Sequence, residues 1–120
     1  MRSRRSVTTR TRSETGRALD AAAGKHYAGR ARPVLIIQDD RFDATSSITV
    51  CALTSDPTEI PLLRVPLDPN DSNGLDAPSG IMLDKVTTMP RSQLDERIGK
   101  VSDADMLALS RGLLVFLGFA

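Results

Sequence analysis

An arginine and two hydroxyl residues in the first half of the chain have types and a spacing that suit phosphate chemistry. Arg32 directly precedes an apolar run, PVLIIQ (33–38), and Thr54 and Ser55 close the next run, SITVCALT (47–54). If the two runs are antiparallel neighbours in a sheet, the start of the first and the end of the second lie at the same end. A guanidinium can hold two phosphate oxygens at once, and hydroxyls add further donors. The pattern indicates a site for a phosphate-bearing ligand, although two ordinary strand ends have the same spacing.

Two acidic segments suggest a metal site less strongly. Asp39, Asp40 and Asp43 could bind a divalent cation, but acidic residues are common where a strand ends in a turn. The segment DPNDSNGLDAPSG (68–80) resembles a calcium loop only at its start. It has Asn73 where an EF-hand needs Gly, and no Glu at the twelfth position. We therefore interpret both segments as surface loops and predict neither a metal nor another cofactor.

Composition excludes several classes of protein. The 120 residues have room for one compact domain, and the single Cys and single His exclude an internal disulfide and a zinc site of four Cys/His ligands. Cys51 is predicted to be a small buried hydrophobe, and His26 an exposed loop residue. Aromatic residues make up 3%, too few for a platform that stacks several bases. No apolar run approaches the ~20 residues that span a bilayer, so we expect a cytoplasmic protein with no membrane partner.

Charge divides the chain into two parts. The first 17 residues carry six Arg and one Glu, while the chain as a whole has a net charge of +1, so the remainder is acidic with a net charge of −4. Residues 1–14 have no apolar periodicity and are predicted to form a basic, disordered extension. The folded domain is predicted to span residues 15–120.

The apolar patterns predict five strands and one helix. Strands are expected at 33–38, 47–54, 62–67, 80–89 and 97–101, the third at a sheet edge because it contains Pro66. A helix with one broad apolar face is expected to begin after Ser102 and to stop near Gly118. Gly112, inside this helix, is expected to mark a close approach by another backbone. The fold class is mainly β with α: a small, partly open barrel or bent antiparallel sheet with the helix packed across it.

Two segments of the chain resemble the MazF/PemK toxins. RARPVLIIQDDRFDATSSITVCALTSD (30–56) is similar to the part of that family in which Arg-Pro and an apolar strand lead to a second strand ending in a Thr-rich turn. NGLDAPSGIMLDKVTTMPRSQLDERIGKVS (73–102) is similar to the family's later strand, short helix and closing strand. The resemblance covers residues 24–120 and implies an SH3-like, MazF/CcdB-like fold.

The resemblance implies a bacterial toxin of a type II toxin–antitoxin system that is a sequence-specific, metal-independent endoribonuclease. It implies a homodimer that cleaves single-stranded RNA and leaves 2′,3′-cyclic phosphate and 5′-hydroxyl ends. It also implies a cognate antitoxin, MazE-like or other, and DNA binding by the complex of toxin and antitoxin. The family's catalytic residues correspond to Arg32 and Thr54. The RNA-binding positions implied by the resemblance are Ser55, Asp56, Ser79 and Lys85, of which Lys85 stands where many members have Gln.

One segment departs from the family pattern. Members usually begin with a β-branched strand, whereas TGRALDAAA (15–23) is rich in Ala and has poor strand propensity. The first strand is therefore expected either to be formed by SVTTRT (6–11) or to be altered relative to active members. Two alternatives stay open: a CcdB-like toxin that binds DNA gyrase without cutting RNA, and an inactive homologue that only binds the antitoxin.

Overall fold

In the computed structural model, the described residues are 14–19, 31–56, 58 and 60–120. They form one antiparallel sheet of six strands, in the order β4-β5-β3-β2-β1-β6, and a C-terminal helix. The elements are β1 (Glu14–Leu19), β2 (Ala31–Ile36), β3 (Ser47–Thr54), β4 (Arg64–Leu67), β5 (Ser79–Pro90), β6 (Leu94–Lys100) and α1 (Asp103–Phe116). The predicted fold class is confirmed: the sheet is a half-barrel and α1 follows it.

Apolar side chains pack on both faces of this sheet. The larger cluster joins the sheet to α1 and consists of Leu35, Cys51, Leu53, Leu67, Ile81, Leu83, Val101, Met106 and Leu109. The smaller cluster consists of Val34, Ile36, Ile48 and Val50. Because successive residues of a strand point to opposite faces, consecutive residues such as Val34 and Leu35 belong to different clusters. We call the face of the smaller cluster the open face and the face of the larger cluster the helix face.

The prediction of five strands was wrong, because TGRALDAAA contributes a sixth. Glu14–Leu19 forms β1, which pairs with β2 on one side and β6 on the other. The Thr15 hydroxyl also donates to the carbonyl of Asn73 at 3.0 Å. Pairing on both sides overrides the weak strand propensity of these residues. The segment 6–11, offered as the alternative first strand, lies outside the described residues, as do His26 and most of the predicted N-terminal extension.

The remaining strands follow the sequence pattern closely. β3 has the predicted bounds, β4 is an edge strand as expected, and 3₁₀ turns occupy Pro61–Leu63 and Arg91–Gln93. β2 is shifted two residues toward the N-terminus relative to the prediction, and β6 begins three residues earlier. Such shifts are expected where a neighbouring strand extends the ladder of hydrogen bonds.

Helix α1 begins where the sequence indicates but buries only part of its apolar surface. The Asp105 amide donates to Ser102 Oγ at 3.1 Å, and Gly118 ends the helix with a φ of 82°. Met106 and Leu109 are buried, whereas Leu114 and several later apolar residues are exposed, so only part of the predicted apolar face packs on the sheet. A Cβ on Gly112 would approach the side chain of Leu83, not a backbone. Within the described part of the chain, no helix is long and apolar enough to cross a membrane.

The loop 68–78 is tied down by its own asparagines. Asn70 Oδ1 accepts the amides of Ser72 and Asn73, and Asn73 Oδ1 accepts those of Asn70 and Leu75. The carbonyl of Ser72 accepts the Lys100 amide at 2.7 Å, which docks the loop against β6. The loop is therefore part of the folded domain and not a loose connection.

We expect Gly99→Ala to lower the free energy of unfolding by about 1–3 kcal/mol. A Cβ at this position would lie 2.4 Å from the carbonyl carbon of Asn73 and 2.5 Å from the carbonyl oxygen of Ser72, and backbone cannot move aside cheaply. Gly118→Asn is the control, since space there is open and Asn tolerates positive φ. Urea unfolding of both variants checks the prediction, and equal stability of Gly99→Ala and wild type would contradict it.

Candidate active site

Arg32 and Thr54 lie at the same end of neighbouring strands. β2 and β3 are antiparallel, with Val34 opposite Ala52 and Leu35 opposite Cys51. The same register, carried two residues further, sets Arg32 opposite Thr54. Adjacent strands are about 4.8 Å apart, so one phosphate group can reach both side chains. The predicted antiparallel pairing of these strands is confirmed.

Both side chains also belong to the open face of the sheet. Val34 of β2 and Val50 of β3 pack together there. Arg32 is two residues from Val34, and Thr54 is four residues from Val50, so strand alternation directs both toward the same face. The helix face is closed by α1, whereas Arg32 is exposed to solvent. The apolar residues further along this face are buried, so a ligand can reach Arg32 and Thr54 only at the strand ends, where Arg32 is exposed.

The turn after β3 fixes the hydroxyl of Thr54. The Asp56 amide donates to Thr54 Oγ1 at 3.0 Å, and the Asp56 carboxylate accepts the Thr58 hydroxyl at 2.7 Å. Because Thr54 Oγ1 accepts from within the turn, its own proton can be directed to an external acceptor such as a phosphate oxygen. Asp56 thus orders the turn that presents Thr54.

Ser55 and Ser79 line one cavity at the same end of the sheet but toward the helix face, since Pro33 in its wall alternates with Arg32 along β2 and Leu75 packs on the larger cluster. The cavity has a volume of about 130 Å³, and its other lining residues are Pro33, Gly74, Leu75, Asp76, Ala77 and Ile98. Pro33 adjoins Arg32, and Gly80, which follows Ser79, pairs with Thr54. Ser79 is buried, and its hydroxyl donates to the carbonyl of Ala77 at 2.9 Å. The structure brings four of the six sequence-predicted site residues, Arg32, Thr54, Ser55 and Ser79, to one end of the sheet, with Asp56 in the adjoining turn.

Lys85 lies further along the sheet. Val86 pairs with Cys51, three residues before Thr54 on β3, and Lys85 is the next residue of β5, where the regular pairing with β3 is interrupted. Its side chain is exposed. The stretch of β5 before Lys85 is irregular, and the preceding residue, Asp84, forms an ion pair of 2.9 Å with Arg64. Sequence reasoning missed this pair, although an Arg at the start of an otherwise apolar edge strand was a visible signal.

The other candidates from the sequence have structural roles. Burial, and secondarily the charge of Asp84, raises the pKa of Cys51 to about 12, and its thiol donates to the carbonyl of Met82 at 3.0 Å. Cys51 therefore stays a neutral thiol and is no nucleophile. The Asp39 carboxylate accepts the Arg41 amide and pairs with its guanidinium at 3.1 Å. Among the described residues, no three His, Cys, Asp or Glu side chains gather as a metal ion would require.

A half-barrel sheet with an arginine and a threonine at adjacent strand ends defines a small β domain with a candidate site for a phosphate group. Family comparison specifies which domain it is. The chain belongs to the PemK-like, MazF-like toxins of type II toxin–antitoxin systems, whose family model matches residues 18–117. The family resemblance found in the sequence is confirmed.

Relatives and solved structures agree with this assignment. The chain is 54% identical over 100 residues to the probable endoribonuclease MazF of Mycolicibacterium smegmatis, covering 83% of this chain and 92% of that protein. The toxin MazF-mt6 of Mycobacterium tuberculosis matches with a TM-score of 0.71 and 26% identity over 89% of this chain and 97% of its own. A mycobacterial endoribonuclease in complex with its cognate antitoxin matches with a TM-score of 0.73 and 25% identity over 92% of this chain and 97% of its own.

Proposed function

We propose that this chain is the toxin of a bacterial toxin–antitoxin pair and a sequence-specific endoribonuclease that cleaves single-stranded RNA in the cytoplasm without a metal ion. The observation that carries the proposal is the register of β2 and β3, in which Val34 lies opposite Ala52; continued two residues toward the strand ends, this register aligns Arg32 with Thr54. The relative that is 54% identical bears the name of an endoribonuclease, which supports the same activity here.

RNA supplies its own nucleophile, the 2′-hydroxyl, so the protein needs to position the phosphate and stabilise its charge. The 2′-hydroxyl gives its proton to water as its oxygen forms a bond to phosphorus, the bond to the 5′-oxygen breaks, and the leaving oxygen takes a proton from water. A guanidinium keeps its protons in proteins and is a poor base. We therefore assign Arg32 to stabilising the negative charge on the phosphoryl oxygens. Thr54 holds the scissile phosphate by a hydrogen bond.

The neighbouring residues supply contacts to the flanking nucleotides. Ser55 is exposed at the mouth of the cavity it shares with Ser79, which suits contacts to a base or sugar next to the scissile phosphate. Lys85 supplies a positive charge further along the sheet, beside Val86, which pairs with Cys51. Asp56 acts through the turn that it orders, and we assign it to the RNA groove in that role.

The expected partners are a second copy of the chain and an antitoxin. Exposed apolar side chains meet where the turn before β4 faces the end of α1: Leu62 (92% exposed), Val115 (67%) and Phe116 (44%) line one cavity and form an apolar surface. Monomeric proteins rarely leave such patches uncovered. We propose that a second copy covers this apolar surface and brings two sites into one RNA groove. An acidic, partly disordered, MazE-like antitoxin would compete for that groove, and the complex would bind DNA through the antitoxin.

The proposed activity is tested by incubating the purified protein with a long RNA in excess EDTA and sequencing the 5′ ends of the fragments. We expect cleavage at one short motif and fragments with 5′-hydroxyl ends. Intact RNA would overturn the proposal. Inhibition of DNA gyrase by the same preparation would then favour the CcdB-like alternative, and antitoxin binding without either effect would favour the inactive homologue.

A further inference from the structure

Arg64 is a buried charged residue outside the Arg32–Thr54 site. It opens the edge strand β4, and its side chain is only 4% exposed. One guanidinium nitrogen, Nη1, donates both to the Leu63 carbonyl at 3.0 Å and to Asp84 Oδ1 at 2.9 Å. Its Nε is buried and has no hydrogen-bond partner in the part of the chain that the structure describes. Replacing a buried ion pair by apolar residues is often neutral or stabilising, so stability alone does not account for this pair.

The ion pair holds the most irregular stretch of the sheet. Cys51 pairs with Val86 and Leu53 with Ile81, so two steps along β3 correspond to five along β5. Asp84 lies within the extra residues of β5. Two contacts restrain them: Arg64 binds Asp84 from the side of β4, and the Cys51 thiol donates to the Met82 carbonyl from the side of β3. Such bulges change the direction of side chains and are common beside active sites.

Lys85 is the residue whose direction this irregularity sets. It follows Asp84 directly and precedes Val86, where the regular pairing with β3 resumes. The ammonium group of a lysine sits on a long, flexible stem, so the volume that it can reach depends on the orientation of the backbone that carries it. A fixed bulge therefore restricts the volume that the Lys85 ammonium group can occupy relative to Thr54.

We propose that Arg64 is a positioning residue: through its ion pair with Asp84, it holds the bulge of β5 so that Lys85 contacts an RNA phosphate next to the scissile one. The proposal rests on the proposed function, because it assumes that RNA occupies the open face. Arg64 itself is buried and neutralises no phosphate.

The test compares Arg64→Met, Asp84→Asn, Lys85→Ala and the double variant Arg64→Met/Lys85→Ala with wild type. Each is assayed for kcat and KM on an oligonucleotide with the cleaved motif, for its melting temperature, and for the salt dependence of binding to a 2′-O-methyl analogue. Asp84→Asn keeps the volume of the side chain, and it tests the ion pair even if Arg64→Met folds poorly. Arg64→Lys, which keeps the charge, is the rescue variant.

We expect Lys85→Ala to raise KM by about tenfold, since a hydrogen bond to a charged group is lost, and to change kcat by less than about twofold. Arg64→Met and Asp84→Asn should raise KM by a similar factor and should lower the salt slope by the same amount as Lys85→Ala. Arg64→Lys should bind RNA with most of the wild-type affinity. The double variant should be no worse than Lys85→Ala alone. If Arg64 had a purely structural role, Arg64→Met would lower the melting temperature, but its salt slope would differ from that of Lys85→Ala.

Three results would overturn the proposal, and they differ from one another. If the KM effects of Arg64→Met and Lys85→Ala multiply in the double variant, Arg64 does not act through Lys85. If Arg64→Met and Asp84→Asn keep the wild-type KM and salt slope, the pair has no part in binding RNA, whereas the proposed function stands. If wild-type protein leaves the RNA intact, the proposed function itself fails and takes the positioning role with it.

Discussion

Arg32→Ala is expected to lower the rate of RNA cleavage by about a hundredfold to a thousandfold, the loss typical of removing one donor that stabilises transition-state charge. Arg32 is exposed, so its truncation opens no cavity and should leave the melting temperature unchanged. Arg32→Lys keeps the charge but loses the planar fork that binds two oxygens. We therefore expect the cleavage rate of Arg32→Lys to lie between the rates of Arg32→Ala and wild type.

Thr54→Ala is expected to reduce cleavage as well, but this change also removes the acceptor of the Asp56 amide. Thr54→Ser separates the two effects, since it keeps the hydroxyl and should retain most of the activity. Single-turnover cleavage of the oligonucleotide identified by 5′-end sequencing measures all four variants. Equal rates for Arg32→Ala and wild type would remove Arg32 from the catalytic site.

Local patterns were sufficient to predict the part of the site that lies at strand ends. Arg32 and Thr54 flank two apolar runs, and the antiparallel pairing of those runs is the commonest arrangement for neighbouring strands. The register then places the two residues opposite each other without any long-range information. Capping residues likewise predicted the start and end of α1, because Ser102 and Gly118 act on residues within one turn.

Features that depend on distant partners could not be predicted. β1 has weak strand propensity and forms because β2 and β6 pair with it on both sides. The ion pair of Arg64 and Asp84 joins residues twenty positions apart across two strands, and it depends on the register of β4 against β5, which no local pattern encodes. The exposed apolar end of α1 has the same periodicity as its buried start, so the sequence could not show where the covering by the sheet ends.

Disrupting the proposed dimer at the apolar surface is expected to weaken RNA binding and to change its salt dependence. Leu62 and Val115 line one cavity of about 320 Å³ between the turn before β4 and the end of α1. A carboxylate placed there would have to lose its water when a second copy packs against it, which is costly. We expect Leu62→Asp and Val115→Asp each to give a monomer in sedimentation at micromolar concentration.

Salt dependence reports how many positive charges meet the RNA. Single-stranded nucleic acid loses affinity with a slope of about −0.7 per neutralised phosphate. If Arg32 and Lys85 from both copies contribute four contacts, affinity should fall by about fiftyfold between 50 and 200 mM salt, and by about sevenfold for a monomer with two contacts. The folded part of the chain is acidic, so the other attraction for RNA comes from the six Arg of the first 17 residues, which all the variants share.

Phe42→Asp is the matched control, because it places the same charge on another exposed apolar side chain, in the 3₁₀ turn before β3, which does not line the cavity between the turn before β4 and α1. It should stay dimeric with the wild-type salt slope. Binding is measured with the 2′-O-methyl oligonucleotide, which cannot be cut because it lacks the nucleophile. A monomeric Val115→Asp that binds RNA with the wild-type affinity and slope would show that each copy holds RNA alone, and the shared groove would be wrong.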